Sequence, residues 1–162
     1  MLPTTLQIEL GTTREQHRVG EPIELTATYH NTGATPLALA FWWQRSMRVR
    51  DAEGREVAPG PGPVLPCGVP EDLTILAPGE RHTRAEPLGC TQPAGATQRI
   101  GWSYALAPGV YDVVLVFTAP PEHGFSQHAA DPREFRGRVE SNAVRVVVEP
   151  APKGLLARLL GR

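Results

Sequence analysis

The sequence predicts an all-β chain, an antiparallel sandwich of about seven to nine short strands, and three observations carry that prediction. The first is alternation: apolar and polar residues swap at period two in several runs, the mark of strands with one buried face. The second is punctuation. There are 17 prolines and 16 glycines in 162 residues, proline at about twice its usual ~5%, spread so evenly that no long helix fits between them. The third is moderation, because glycine and proline together reach 33 of 162, below the roughly 25–30% of a disordered chain. A closed barrel is the second architecture that this pattern allows. The length suits one domain with a core of useful size, residues 1–149 forming the sandwich and 150–162 a Pro-led amphipathic tail.

The elements follow in order. Leu6, Ile8 and Leu10 share one face of a first strand, and Ile23, Leu25, Ala27 and Tyr29 oppose Glu24, Thr26, Thr28 and His30 in a second. Asn31-Thr32-Gly33 turns the chain into a third run, where Leu37, Leu39, Phe41 and Trp43 alternate with Ala38, Ala40 and Trp42. Both faces are apolar, so this strand is expected to be covered on both sides, with Trp42 or Trp43 in the mid-core. Met47-Arg48-Val49-Arg50, the turn cluster Asp51-Ala52-Glu53-Gly54 and a return through Val57 read as a hairpin. Pro59 to Pro70 holds five prolines and three glycines, which no sheet ladder or helix accommodates. Later strands are expected at Leu73 to Leu76, Arg81 to Pro87, Ile100 to Leu106, Val110 to Thr118 and Ala143 to Glu149. In the last two, Tyr111, Val113, Leu115 and Phe117 share a face, as do Val144, Val146 and Val148. Leu76-Ala77-Pro78-Gly79 and Leu106-Ala107-Pro108-Gly109 each predict a type II turn, proline presetting one central position and glycine accepting the positive φ of the next.

Tyr111, just after Pro108-Gly109, has the position of a tyrosine corner, whose hydroxyl bonds back to upstream backbone. Asn31-Thr32-Gly33 with the Leu-Ala-Leu-Ala-Phe run, Arg48 to Val57, Leu76 to Glu80 and Leu106 to Val113 follow one another in a familiar order. Over roughly residues 20 to 118 the chain resembles bacterial immunoglobulin-like domains, among them the intracellular proteinase inhibitor family of bacilli. The segment from Phe135 to Val144 also looks like the final edge of exported bacterial sandwich domains. The resemblance implies an immunoglobulin-like sandwich and, for the inhibitor family, an exposed loop that occupies a protease cleft. It brings no catalytic residues.

Sixteen basic against 17 acidic residues exclude a nucleic-acid or anionic-membrane binder that relies on net charge. No run approaches 18 apolar residues, so no helix is expected to span a membrane. The start, Met1 to Thr5, has neither a basic nor an apolar leader region; the expectation is a cytoplasmic chain if it is complete and an exported one if a leader was removed. Cys67 and Cys90 either remain thiols or form one bridge, closing a loop of 24 residues and contributing roughly 3 kcal/mol.

Chemistry is sparsely signalled. Gly101-Trp102-Ser103-Tyr104-Ala105 is one residue short of a nucleophile elbow, and Pro108-Gly109 follows too soon for the helix that exposes such a serine. His17, His30, His82, His123 and His128 show no H-x-H or H-E-x-x-H spacing, so no metal site and no cofactor are expected; Cys67, Cys90 and His82 are the best set that folding could assemble. Arginine outnumbers lysine fifteen to one, and Arg48 and Arg50 share a strand face, a weak candidate anion site that reads equally as a solvated sheet face. His123, Phe125 and His128, in the long segment before the last strands, are the candidate partner contacts. Leu155, Leu156, Leu159 and Leu160 form one face of a short C-terminal helix, which needs a surface on the parent domain or on a second copy. Together these features predict a non-enzymatic bacterial interaction or accessory module with a protein partner, and, as the alternative, a proteinase inhibitor acting through an exposed loop.

Overall fold

The computed structural model describes residues 5–60, 73–90, 102–119 and 131–150, without the side chains of Trp42, Trp43, Cys90, Trp102 and Ser103. Its organising strand is the one with the longest apolar alternation. Ten residues, Gly109–Thr118 (β10), pair antiparallel with Arg45–Asp51 (β5) along one edge. Along the other edge they pair first with Val144–Glu149 (β12) and then with Arg138–Glu140 (β11). The switch from one partner to the other occurs at Leu115, whose N–H and C=O are both met by Ser141, at 3.0 Å through its side chain and 2.9 Å through its backbone. Gln16–Arg18 (β2) completes this sheet, parallel to β12.

The second sheet is Leu6–Thr12 (β1), Leu25–Asn31 (β3) and Arg81–Ala85 (β7), all antiparallel. Its inward residues Leu6, Ile8, Leu10, Leu25, Ala27 and Tyr29 pack in one core cluster with Met47, Val49, Val113, Leu115, Phe117 and Val146 of the first sheet. Two sheets facing across one apolar layer make a β-sandwich. Strands β1, β3 and β7 oppose β5, β10 and β12, which is the immunoglobulin-like arrangement of strands A, B and E over C, F and G. The Tyr111 hydroxyl donates to Ala107 O at 2.9 Å, four residues upstream, so the tyrosine corner is present on β10.

Four short strands close the gaps. Leu37–Leu39 (β4) pairs with Thr74–Leu76 (β6), and Leu88–Cys90 (β8) pairs parallel with Trp102–Tyr104 (β9). The described residues therefore hold twelve strands rather than seven to nine, and two of the pairings are parallel. Six of the twelve have three residues, too few for a period of two to show in sequence.

The expected third strand stops early. After Leu39 the chain makes one helical turn, Phe41–Gln44 (α1). Gln44 holds that turn: its amide oxygen accepts from Ala40 N at 2.7 Å and its amide nitrogen donates to Phe135 O at 2.9 Å, with the side chain fully buried. A polar side chain bonded on both sides thus overrides the apolar alternation around it. The expected mid-core tryptophan falls on undescribed side chains; the rings described there are Tyr29, Phe41, Phe117 and Phe135, in edge or tilted contact at 4.7–6.0 Å.

The hairpin after β5 forms as expected, with Val57 N donating to Val49 O at 2.9 Å and Gly54 at φ 79°. Of the two Pro-Gly pairs, only the first turns with a positive φ, at Gly79 (78°), where Glu80 N donates to Ala77 O at 3.0 Å. Gly109 instead starts β10, its backbone lying alongside the Tyr111 ring. The corner, which sends the hydroxyl back over this glycine, takes the place of the second turn.

Asn31 pins the two halves of the second sheet's end. Fully buried, it donates to Thr35 O at 2.9 Å and Leu76 O at 3.0 Å and accepts from Gly33 N at 2.9 Å. Asn31→Leu should therefore cost about 2 kcal/mol, because one buried and two part-buried backbone groups lose partners, whereas Tyr111→Phe should cost about 1 kcal/mol for one half-buried bond. Urea midpoints at unchanged m-value measure both.

Candidate functional site

One flank of the sandwich, between the β7–β8 edge and β5, is closed by charge instead of hydrocarbon. Strand β7 follows a tight turn with no apolar face of its own, so His82 and Arg84 enter on the inward phase, and Glu86 follows in the same phase. The Glu86 side chain is 2% exposed. Its Oε2 accepts from Arg45 on β5, and its Oε1 lies 3.1 Å from the Tyr29 hydroxyl and 3.2 Å from Arg84 Nε. The Arg84 guanidinium also sits 4.4 Å over the Phe41 ring, which stacks with the His82 ring at 5.5 Å. Burial pushes the Tyr29 phenol far above its ordinary pKa, and the adjacent Glu86 charge pushes it further. Both carboxylate oxygens are engaged and the phenol is held protonated. The cluster joins the sheets. Lower on the same flank the Tyr104 hydroxyl does the same work, donating to Met47 O at 2.7 Å.

Arg48 and Arg50 share the outer face of β5, opposite Val114 and Asp112 of β10. Arg48 meets Glu140 of β11 at 2.5 Å, and both arginines lie 3.7 Å from Glu56. Glu140 also accepts from Arg138 at 2.8 Å; bonds from Arg138 first and Arg48 second hold its carboxyl below the ordinary range. The face carries a lattice of paired charges. A groove of about 460 Å³ lies between the second sheet and β11, lined by Gln7, Glu9, His30 and Arg81 on one side and by Val139 and Glu140 on the other.

At the end of the sandwich where β10 finishes, the chain leaves at Ala119 and returns at Asp131. Ala119 N donates to Gly137 O at 2.7 Å, and Ala38 exchanges backbone bonds with Arg133 and Phe135 at 2.9 and 3.0 Å. Asp131 and Arg133 form a two-pronged ion pair at 2.7 and 3.0 Å. The Arg133 side-chain bonds, then its backbone N–H, pull the Asp131 carboxyl down to about 2.

The sequence candidates fall unevenly on this framework. His123, Phe125, His128, Cys67, Leu155, Leu156, Leu159 and Leu160, with the expected tail helix, lie outside the described residues. Cys90 ends β8 and Ser103 centres β9. Among the described residues no three His, Cys, Asp or Glu side chains gather as a metal set, and no helix is long and apolar enough to cross a membrane. The Glu86 cluster was not anticipated; its one sequence signal is His82, Arg84 and Glu86 at period two, where an apolar face should be.

No protein-family model matches the chain, and a search of curated proteins finds no relative. Among solved structures, the chain is similar to the CARDB domain of a Pyrococcus furiosus protein, solved in complex with di-metal ions. The identity is 12% and the TM-score 0.39, over 90% of this chain and 94% of that one. The fold assignment stands on the strand order and the corner described above.

Glu86→Gln should destabilise by about 3 kcal/mol, since it removes the carboxylate charge that faces the largely buried Arg45 guanidinium, and Tyr29→Phe by about 2 kcal/mol; chemical denaturation measures both. For Asp131 the folded pKa lies below the unfolded one, so the pair stabilises the fold above the ordinary carboxyl range and is lost as pH falls towards about 2. Carboxyl NMR should show that titration, and Arg133→Ala should raise the pKa towards but not to the ordinary value of about 3.9, because the backbone N–H at residue 133 still donates to Asp131 Oδ1.

Proposed function

We propose that this chain is a non-enzymatic protein-interaction module that presents residues 120–130, with His123, Phe125 and His128, to a protein partner from one end of the sandwich. The observation that supports this reading is the double anchoring of that segment's flanks. Ala119 is bonded to Gly137, and Arg133 and Phe135 are bonded to Ala38, so the chain leaves and re-enters the scaffold at fixed points. Binding residues concentrate on loops positioned by a rigid scaffold, and fixed ends lower the entropy lost on association. The Glu86 carboxylate supports the non-enzymatic half of the reading, because both of its oxygens are committed to partners that join the two sheets.

The proteinase inhibitor implied by the family resemblance is the special case in which the partner is a protease. The same anchoring favours it, since an inhibitory loop must also be held at both ends.

The test replaces residues 121–129 with a Gly/Ser linker of equal length and compares both proteins as bait. A partner retained by the wild type and lost by the replacement, at unchanged melting temperature, is the expected result. A partner that binds both equally overturns the loop reading. In parallel, a panel of serine proteases is assayed with the protein in micromolar excess; undiminished activity throughout removes the inhibitor case and leaves the module.

A further inference from the structure

A sheet edge exposes backbone N–H and C=O groups that a neighbouring strand could pair. The direction of each peptide group in β7 follows from observed bonds: Asn31 N donates to Glu80 O at 3.0 Å, Glu86 N to Leu25 O at 2.8 Å, and Leu88 exchanges bonds with Ile23 at 2.9 Å. One unbroken register against β3 joins these points, so Glu80, His82, Arg84, Glu86 and Leu88 turn their peptide groups towards β3. Arg81, Thr83 and Ala85 turn theirs away. All three residues are exposed, and on that side no described strand pairs with them. Further along, the same edge already holds a strand, because β9 lies against β8 from Leu88 to Cys90. Among the described residues, the edge from residue 81 to 90 thus holds a strand at one end and none at the other.

The open end is cationic. Arg81 lies on the outer face and makes no ion pair with a described residue. Of the acids around it, Glu86 is committed to its cluster and Glu80 to its own turn, where it accepts from Ala77 N at 2.7 Å, while Glu9 and Glu140 line the same groove as Arg81 without forming an ion pair with it. A second copy of β7 is a poor occupant. Antiparallel pairing centred on Thr83 sets His82 against Arg84 of the copy, and centring on Arg84 sets two arginines face to face.

We propose that the 81–85 edge of β7 is a docking site for an extended acidic segment of a partner protein, which adds as a fourth strand to the β1–β3–β7 sheet. Backbone bonds at Arg81, Thr83 and Ala85 supply the affinity, and a carboxylate beside Arg81 supplies the preference for acid. This edge and the 120–130 segment are different surfaces, and binding at one does not require binding at the other.

The probes are a capped octapeptide of alternating glutamate and valine and its lysine–valine counterpart, titrated into the full chain with amide exchange read by NMR. The glutamate peptide should slow exchange at Arg81, Thr83 and Ala85 by about tenfold or more, leaving His82 and Arg84, already bonded to β3, unchanged; the lysine peptide should not. Thr83→Pro removes the central outward N–H and leaves every backbone bond to β3 in place, losing only the side-chain bond to Thr28 Oγ1, and should abolish the protection. Arg81→Glu should invert the preference between the peptides. Equal protection by both peptides, protection elsewhere only, or none at millimolar peptide overturns the proposal, and these outcomes are read on wild-type protein even if Thr83→Pro fails to fold.

Discussion

The buried carboxylate of Glu86 is the constraint around which the rest of the flank is arranged. An ionised group at 2% exposure is tolerated only with opposite charge and hydrogen bonds at hand, and here they come from three strands in both sheets: Tyr29 on β3, Arg45 on β5 and Arg84 on β7. The requirement sets the separation of the sheets at this level. It also explains why β7 can lack an apolar face and still belong to the sandwich: its inward side chains are held by charge, and Phe41 receives the flat side of the Arg84 guanidinium. Inward-pointing charge on an edge strand has a second effect, since it discourages like strands from pairing along that edge.

Elsewhere polar side chains stand in for strands that end too soon. Asn142 makes both bonds that a neighbouring peptide group would make to Leu10, at 2.8 and 2.9 Å, and Ser141 does so for Leu115. Asn31 and Gln44 serve the turns in the same way. A sandwich made of many three-residue strands leaves many backbone groups at strand ends, and each must be met by something. This pattern of local repair also fixes the points where long segments leave the scaffold, Ala119 and Arg133 among them, and so links the way the fold is satisfied to the end that carries the proposed function.

Strands whose alternation runs long enough were legible in sequence. Strands β1, β3, β10 and β12, the hairpin after β5 and the hydroxyl bond of Tyr111 all follow from period two, turn chemistry and one strand-start tyrosine, all of which act within a few residues. The shared face of Arg48 and Arg50 was legible for the same reason, but their partners were not, because Glu140 stands 92 residues from Arg48 in the chain. Glu86 lies 57 residues from Tyr29 and 41 from Arg45, and no local rule joins them.

The sequence by itself determined the secondary-structure class, the punctuation of the chain and the inward face of each long strand, because backbone sterics and side-chain alternation are properties of neighbours. Only the tertiary structure decided that Leu37 to Gln44 breaks into a strand and a helical turn, that β2 and β9 pair in parallel, that Pro108-Gly109 opens a strand, and that one flank is closed by a buried ion. Each of those outcomes depends on which distant group meets a buried donor, acceptor or charge, and that is settled when the sheets close on each other.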